Sequence, residues 1–239
     1  MSDQAPSQRE AVAELVVNVV LPSVVLLWLS EPERLGPLWA LVLALTPPAL
    51  WGIVSMVRAG RPSGIAVIAF GSVLLTGGVG LFELDPSWIA LKEGLVPSLF
   101  GIATLVSAPT SYAVIPTLMA RLFDNEAIEQ ALTEPSQRAD WTLVNRNATL
   151  QVGALFLLSA VASWALARGI VVSDAGTEAF NNELGWMTML SVPAVMVPMT
   201  LGMAWVLSRV IGRLEQLTGR DYEDFLLGHL REDDSSPAS

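Results

Sequence analysis

The chain has 239 residues, of which 52% are apolar and 15% charged, whereas an average soluble domain is about 25% charged. This composition, with a mean hydropathy of +0.53, excludes an ordinary soluble globular domain and a disordered chain. A net charge of −10 gives no electrostatic reason to bind nucleic acid, and with no cysteine and one histidine the sequence excludes disulfides, thiolate nucleophiles and multi-histidine metal sites.

Six apolar stretches follow one another along the chain, and each is close to the roughly 20 residues that one bilayer crossing needs. They are residues 11–29, 37–57, 62–82, 91–107, 148–167 and 187–211. Because lipid offers no partners to backbone N–H and C=O groups, such segments must be helical. The sequence therefore predicts an all-α, polytopic transmembrane helix bundle with six spans.

The polar segments between and beyond the spans define the remaining organisation. Residues 1–10 form a short cytoplasmic N-terminus, and the first span is expected to stay as an uncleaved anchor. The transmembrane domain covers residues 11–211 and includes a cytoplasmic loop at 120–147. Residues 212–239 are predicted to form a cytoplasmic amphipathic segment followed by an acidic, disordered tail.

Basic residues set the predicted orientation. With a cytoplasmic N-terminus, ten of the 13 lysines and arginines lie inside, and only Arg34, Lys92 and Arg168 lie outside. This asymmetry follows the positive-inside rule and predicts that both termini are cytoplasmic. Tryptophans typical of a membrane interface fall at the predicted outer helix ends, namely Trp28, Trp39, Trp88, Trp164 and Trp186. We therefore expect a multi-pass protein of a bacterial inner (plasma) membrane.

Prolines and capping residues shape the region between the fourth and fifth spans. The fourth helix is expected to end near Ser107 and to be followed by a kink and a short second piece. Asp124 or Asn125 is expected to cap a short helix that Pro135 ends, and another helix is expected to start near Asp140.

Polar residues within the first span form one candidate functional cluster. Glu14 and Asn18 are four residues apart and share a helix face. Ionisable groups inside a membrane are costly and tend to be functional. The alternative is that Glu14 reaches the inner interface and Asn18 makes a helix–helix hydrogen bond.

Two further groups of polar residues lie at the ends of later spans. Lys92 and Glu93 open the fourth span, where Lys92, the only lysine, is either functional or reaches the headgroups. Arg146, Asn147 and Gln151 lead into the fifth span and are able to share a face. Arg146 is expected at a depth similar to that of Glu14, so the two either pair between helices or Arg146 faces lipid phosphates.

The outer loop 169–186 carries acidic residues with no basic residue after Arg168. It is either a solvated acidic loop or a site for a divalent cation, which prefers oxygen ligands. Elsewhere the sequence has no Ser/His pair, metal motif or phosphate loop. We therefore expect no enzymatic activity, no cofactor and no metal.

Two motifs carry a resemblance to a known family. Residues 85–107, which read DPSWIALKEGLVPSLFGIATLVS, contain an aspartate, a lysine opening a helix, a Phe-Gly pair and a serine near the end. Further on come Leu122-Phe, Trp141-x-Leu143, Arg146-Asn-Ala and Leu155-Phe-Leu-Leu-Ser-Ala. Over about residues 85–165 the chain resembles a divergent member of the intracellular septation protein A family of bacterial membrane proteins. The family's Lys-Pro-Thr stands here as Lys92-Glu93-Gly94.

The resemblance implies a role in cell-envelope maintenance or division, exerted through membrane protein partners, and it carries over Lys92 and Arg146 as site residues. An alternative rests on a similarity between LPSVV at residues 21–25 and VPSLF at 96–100. This similarity favours inverted three-helix repeats, which are common in transporters, and hence a small carrier of a lipid or hydrophobic solute. The expected partners are membrane lipids, envelope or division membrane proteins and, as an open alternative, further copies of the chain.

Overall fold

The computed structural model describes residues 16–58, 64–110 and 112–227. This part of the chain is all-helical and contains no strand. Its helices are α1 (Leu21–Leu29), α2 (Gly36–Arg58), α3 (Gly64–Leu81), α4 (Ser87–Ser107), α5 (Val114–Leu122), α6 (Asn125–Ala131), α7 (Pro135–Ile170), α8 (Glu178–Ser191) and α9 (Val197–Thr218). A π-helical turn, Val16–Val20, precedes α1, and a second one, Val192–Met196, joins α8 to α9.

Three helical stretches are long and apolar enough to cross a membrane, namely Ser87–Ser107, Pro135–Ile170 and Glu178–Thr218. The prediction of an all-helical fold is confirmed for the described residues, and these three stretches are candidates for crossing a membrane. Helices α1, α2 and α3 lie over the first three predicted spans, and α2 contains a shorter apolar stretch, Gly36–Pro47. Six crossings and cytoplasmic termini remain predictions.

The segment after the fourth span folds as its prolines indicate. Helix α4 ends at Ser107, and a turn closes with a 2.8 Å hydrogen bond from the Thr110 N–H to the Ser107 carbonyl. A second, shorter helix, α5, then begins at Val114. The predicted kink and second piece are therefore both present.

The start of α7 differs from the predicted one. Asp124 caps α6 as expected, because its Oδ1 accepts the N–H groups of Glu126 and Ala127 at 2.9 and 3.2 Å. Pro135, however, opens α7 instead of only ending α6. Proline suits the first helical position, where its missing N–H has no partner to lose, and Gln137 Oε1 accepts the Glu134 N–H at 3.0 Å.

The chain divides into two compact units. The first comprises the described residues up to Val96 together with Ala160–Val197. In it α1 packs against α2 and α8, and α2 packs against α3. Gly185 allows the close approach of α8 to α1, since a Cβ there would lie 3.1 Å from Leu27 Cγ and 3.2 Å from the Ser23 carbonyl oxygen.

The second unit comprises Pro97–Ser159 and the described residues from Pro198 onward. Its core is formed by apolar side chains from α5, α6, α7 and α9 and from the segment after α9. Its buried members include Ile115, Met119, Phe123, Ile128, Leu132, Trp141, Val152, Val210, Leu214 and Phe225. Residues 120–147, predicted to form a cytoplasmic loop, are therefore a packed helical module.

The segment after α9 is shorter and more buried than an amphipathic surface helix. Helix α9 ends at Thr218, and Gly219 has a φ of +68°, which suits a residue without Cβ. A 3₁₀ turn follows at Tyr222–Phe225, and Phe123 pairs with Leu226 in an isolated antiparallel bridge. Residues 1–15, which include the whole predicted N-terminus, and residues 228–239, which include the predicted acidic tail, lie outside the described residues.

Candidate functional site

Lys92 and Glu93 form an ion pair in the first unit. Lys92 is only 9% exposed, and its Nζ lies 2.7 Å from both Glu93 Oε1 and Thr76 Oγ1. The Lys92 ammonium group, a candidate named from the sequence, therefore donates to the Thr76 hydroxyl of α3 and pairs with the Glu93 carboxylate. This arrangement is typical of a charge that is neutralised within the protein.

The described residues do not test the predicted functional cluster of Glu14 and Asn18. Glu14, and with it the expected Glu14–Arg146 pair, lies outside the described residues. Asn18 belongs to the π-helical turn Val16–Val20. A functional role for Glu14 and Asn18 remains a prediction.

Arg146, Asn147 and Gln151 all lie exposed on α7. Arg146 differs from the other two because it lines a cavity of about 620 Å³ in the second unit. A cavity of this size falls within the roughly 300–1,000 Å³ range of small-molecule and peptide side-chain pockets. We name it the α7 cavity, and its polar lining residues are Thr110, Asn125, Glu129, Thr142, Asn145 and Arg146.

The buried floor of the α7 cavity includes Asn145, which is 8% exposed. Its Nδ2 donates to the Trp141 carbonyl at 3.0 Å. Its Oδ1 is buried and has no hydrogen-bond partner among the described residues. A buried acceptor without a donor is uncommon and marks a place where a ligand or partner group is able to supply one.

The Thr149 side chain connects the backbone at Asn145 to the start of α5. Thr149 Oγ1 donates to the Asn145 carbonyl at 2.9 Å and accepts the Ile115 N–H at 3.4 Å, which joins the start of α5 to α7. Trp141 is buried in the core of the unit. Asn145 is therefore fixed by packed neighbours on both sides.

Glu129 and Arg146, the two charged residues that line the α7 cavity, differ in whether an oppositely charged side chain lies near them. Glu129 lies 3.9 Å from the Arg138 guanidinium. Within the described ranges, no carboxylate lies within 4.0 Å of the Arg146 guanidinium. The cavity thus offers one unpaired cation and one unpaired acceptor, which suits a group that carries an anionic oxygen and an N–H or O–H donor.

Glu183 organises the acidic segment 169–186, which the sequence places on the outer side as a prediction. Its carboxylate accepts the Val172 and Ser173 N–H groups, each at 2.8 Å, and the Ser173 hydroxyl at 2.6 Å. These donors tie α8 to the chain that follows α7. In the part of the chain that the structure describes, no group of three potential metal-ligating side chains is found.

Asn181 was not singled out by the sequence, although its position is central to the first unit. It is 1% exposed, and its Nδ2 donates to the Pro37 carbonyl at 2.7 Å and to Ser30 Oγ at 3.1 Å. It therefore joins α8 to the turn between α1 and α2. An asparagine within an acidic loop gives no signal of such burial, whereas Arg146 was named as a candidate from the sequence, although the α7 cavity that it lines was not predicted.

Comparisons with known proteins return no matching family model, no matching curated protein and no matching solved structure. The described fold itself defines a helical protein with three helical stretches long and apolar enough to cross a membrane.

Proposed function

We propose that the chain crosses a bacterial inner membrane six times, with both termini cytoplasmic, and acts in cell-envelope maintenance or division through membrane protein partners. The resemblance to the septation protein A family supports this role. The observation that carries it is the α7 cavity, which combines the Arg146 guanidinium with the buried Asn145 Oδ1, neither of which has a partner among the described residues.

The length of α7 supports a location of this cavity at the cytoplasmic boundary. Helix α7 has 36 residues, or about 54 Å at 1.5 Å per residue, whereas the hydrocarbon core is about 30 Å thick. The polar end that begins at Pro135 therefore projects beyond the bilayer. In this arrangement the cavity receives an acidic, hydrogen-bond-donating segment of the partner.

The test combines genetics with site-specific crosslinking in the native host. Deletion of the gene is expected to change cell length or envelope integrity, and the wild-type chain is expected to restore both. Arg146→Ala is expected to lose this activity at a normal protein level. A photo-reactive residue at Thr142, which lines the cavity, is expected to form a crosslink that Arg146→Ala weakens.

Asn147→Ala provides the matched control, because Asn147 is the exposed neighbour that does not line the cavity. It is expected to behave as wild type. A deletion without effect on cell length or envelope integrity contradicts the proposed role. Equal loss in Arg146→Ala and Asn147→Ala contradicts the assignment of the cavity.

The carrier of a lipid or hydrophobic solute is the second candidate. The observation that favours it is a cavity of about 170 Å³ in the first unit, whose lining is both polar and apolar and consists of Glu93, Ser163, Leu166, Met187, Thr188 and Ser191. A carrier predicts that Glu14→Gln or Glu93→Gln abolishes function while the protein level stays normal. A protein that acts through partners instead predicts greater damage from substitutions of exposed residues in the 120–147 module, such as Arg146→Ala, than from Glu14→Gln or Glu93→Gln.

A further inference from the structure

A second cavity, of about 530 Å³, lies in the first unit where α4 begins and α7 ends. Its lining includes the indole rings of Trp88 and Trp164, which are 48% and 50% exposed. Exposed tryptophans of membrane proteins concentrate at the level of the lipid headgroups. Given the proposed topology, this cavity, here named the outer cavity, faces the headgroups of the outer leaflet.

The outer cavity has an anionic wall. Asp85 is exposed, and its Oδ1 accepts the Ser87 N–H at 2.7 Å. The hydrogen bonds from the Ser87 side chain and backbone hold the pKa of Asp85 below its usual value, and the nearby Arg168 acts in the same direction. A carboxylate has about four acceptor positions, so Asp85 keeps capacity for a further donor.

The same cavity has a cationic wall. Arg168, in the last turn of α7, is exposed and lines the cavity together with Asp85. Over the described ranges, no carboxylate lies within 4.0 Å of the Arg168 guanidinium. The two charges are therefore close enough to share a cavity and are not neutralised by direct contact with each other.

A ligand that fits both walls carries a cation and an anion a short distance apart. An ammonium group is attracted by indole faces and by a carboxylate. A phosphate group is matched by a guanidinium, which binds it through two parallel N–H donors. An anionic headgroup satisfies Arg168 alone and meets repulsion from Asp85.

We propose that the outer cavity binds the headgroup of a zwitterionic phospholipid with a primary ammonium, that is, a phosphoethanolamine lipid. The ammonium lies between the Trp88 and Trp164 rings and donates N–H to Asp85, and the phosphodiester accepts from Arg168. This assignment rests on the proposed crossing of the membrane. It is independent of any role in division or transport.

The experiment measures lipid retention by the full-length protein, extracted gently from vesicles with equal amounts of phosphatidylethanolamine, phosphatidylglycerol and phosphatidylcholine, by native mass spectrometry. The wild-type protein is expected to retain phosphatidylethanolamine in about tenfold preference, the effect of one charge-assisted hydrogen bond. Asp85→Asn and Arg168→Gln are each expected to remove most of this preference. Phosphatidylcholine is expected to bind less, because its trimethylammonium has no N–H to donate.

Arg34→Gln is the matched control, since Arg34 is another exposed arginine predicted on the outer side, but it pairs with Glu31 at 3.0 Å. It is expected to leave the preference unchanged. Equal retention of the three lipids, or an equal loss in the Arg34→Gln variant, overturns the proposal. Alkaline carbonate washing of the membranes separates the two inferences. Release of the chain overturns the crossing and the headgroup site together, whereas an integrated chain without lipid preference overturns the headgroup site alone.

Discussion

Gly101 of α4 and Gly153 of α7 face each other where the two helices meet, and neither position has room for a side chain. A Cβ on Gly101 would lie 2.8 Å from Leu157 Cδ2 and 3.1 Å from the Gly153 carbonyl oxygen. A Cβ on Gly153 would lie 2.6 Å from Leu105 Cδ2 and 3.2 Å from the Gly101 carbonyl oxygen. The reciprocal contact shows that this approach depends on two glycines at once.

Gly101→Ala and Gly153→Ala are each expected to lower the free energy of unfolding by about 1–3 kcal/mol, because overpacking forces the helices apart. Thermal unfolding in detergent measures this effect. Gly212→Ala in α9 is the control, since nothing lies within 4 Å of the position that a Cβ would take there. It is expected to be neutral or slightly stabilising. Unchanged melting of both variants contradicts the tight crossing.

The ion pair between the buried Lys92 and Glu93 is expected to stabilise the fold only while both partners are present. Lys92→Met leaves the carboxylate without its 2.7 Å partner. We expect a loss of about 1–3 kcal/mol, less than for a fully buried pair because Glu93 is partly exposed. Adding Glu93→Gln to Lys92→Met is expected to restore part of the loss in a double-mutant cycle.

The exposed Arg34–Glu31 pair supplies the comparison for this cycle. Glu31→Gln is expected to change stability by about 0.5 kcal/mol or less. If Lys92→Met is as mild as Glu31→Gln, the buried ion pair has no structural role.

Glu183 is expected to limit the local unfolding of Val172 and Ser173, which follow α7. Glu183→Gln removes the charge that strengthens three hydrogen bonds to Val172 and Ser173. A loss of about 1.5–3 kcal/mol in local stability is expected, and hydrogen exchange at the Val172 and Ser173 amides measures it directly. Asp174→Asn, at an exposed position in the same loop, is expected to leave these exchange rates unchanged. Equal exchange in wild type and Glu183→Gln refutes the anchoring role.

Phe225 is expected to be a principal support of the second unit, although it follows the last long helix. It is 1% exposed within a core that includes Trp141 and Leu214. Phe225→Ala is expected to cost about 3–5 kcal/mol, from lost burial and a cavity, and chemical denaturation measures the change. Tyr112→Ala, at a highly exposed position of the same unit, is expected to stay within about 0.5 kcal/mol of wild type.

Much of the helical architecture was predictable because apolar runs of membrane length dictate helices. The end of α4 at Ser107 and the cap at Asp124 followed from local chemistry. The start of α7 did not, since Pro135 is compatible with both ending one helix and opening the next.

The candidate site was predictable only in part. Arg146 stood out by its charge near a span, but the partners of Lys92 and the burial of Asn181 depend on how separate helices pack. Ser30 and Asn181 are 151 residues apart in sequence, and no local pattern determines that two such residues meet. Asn145, one of four buried side chains whose oxygen has no hydrogen-bond partner among the described residues, was less conspicuous in the sequence than the neighbouring arginine.

The bridge between Phe123 and Leu226 has a consequence for biogenesis. Backbone hydrogen bonds join Asp124 N–H to the Phe225 carbonyl at 2.8 Å and Leu227 N–H to the Leu122 carbonyl at 3.1 Å. The helical module at residues 120–147 is therefore completed only after residues 225–227 have been synthesised, well after Phe123. A prematurely terminated product leaves the apolar surface around Ile128 uncovered, so cellular proteases have a means to distinguish finished copies from unfinished ones.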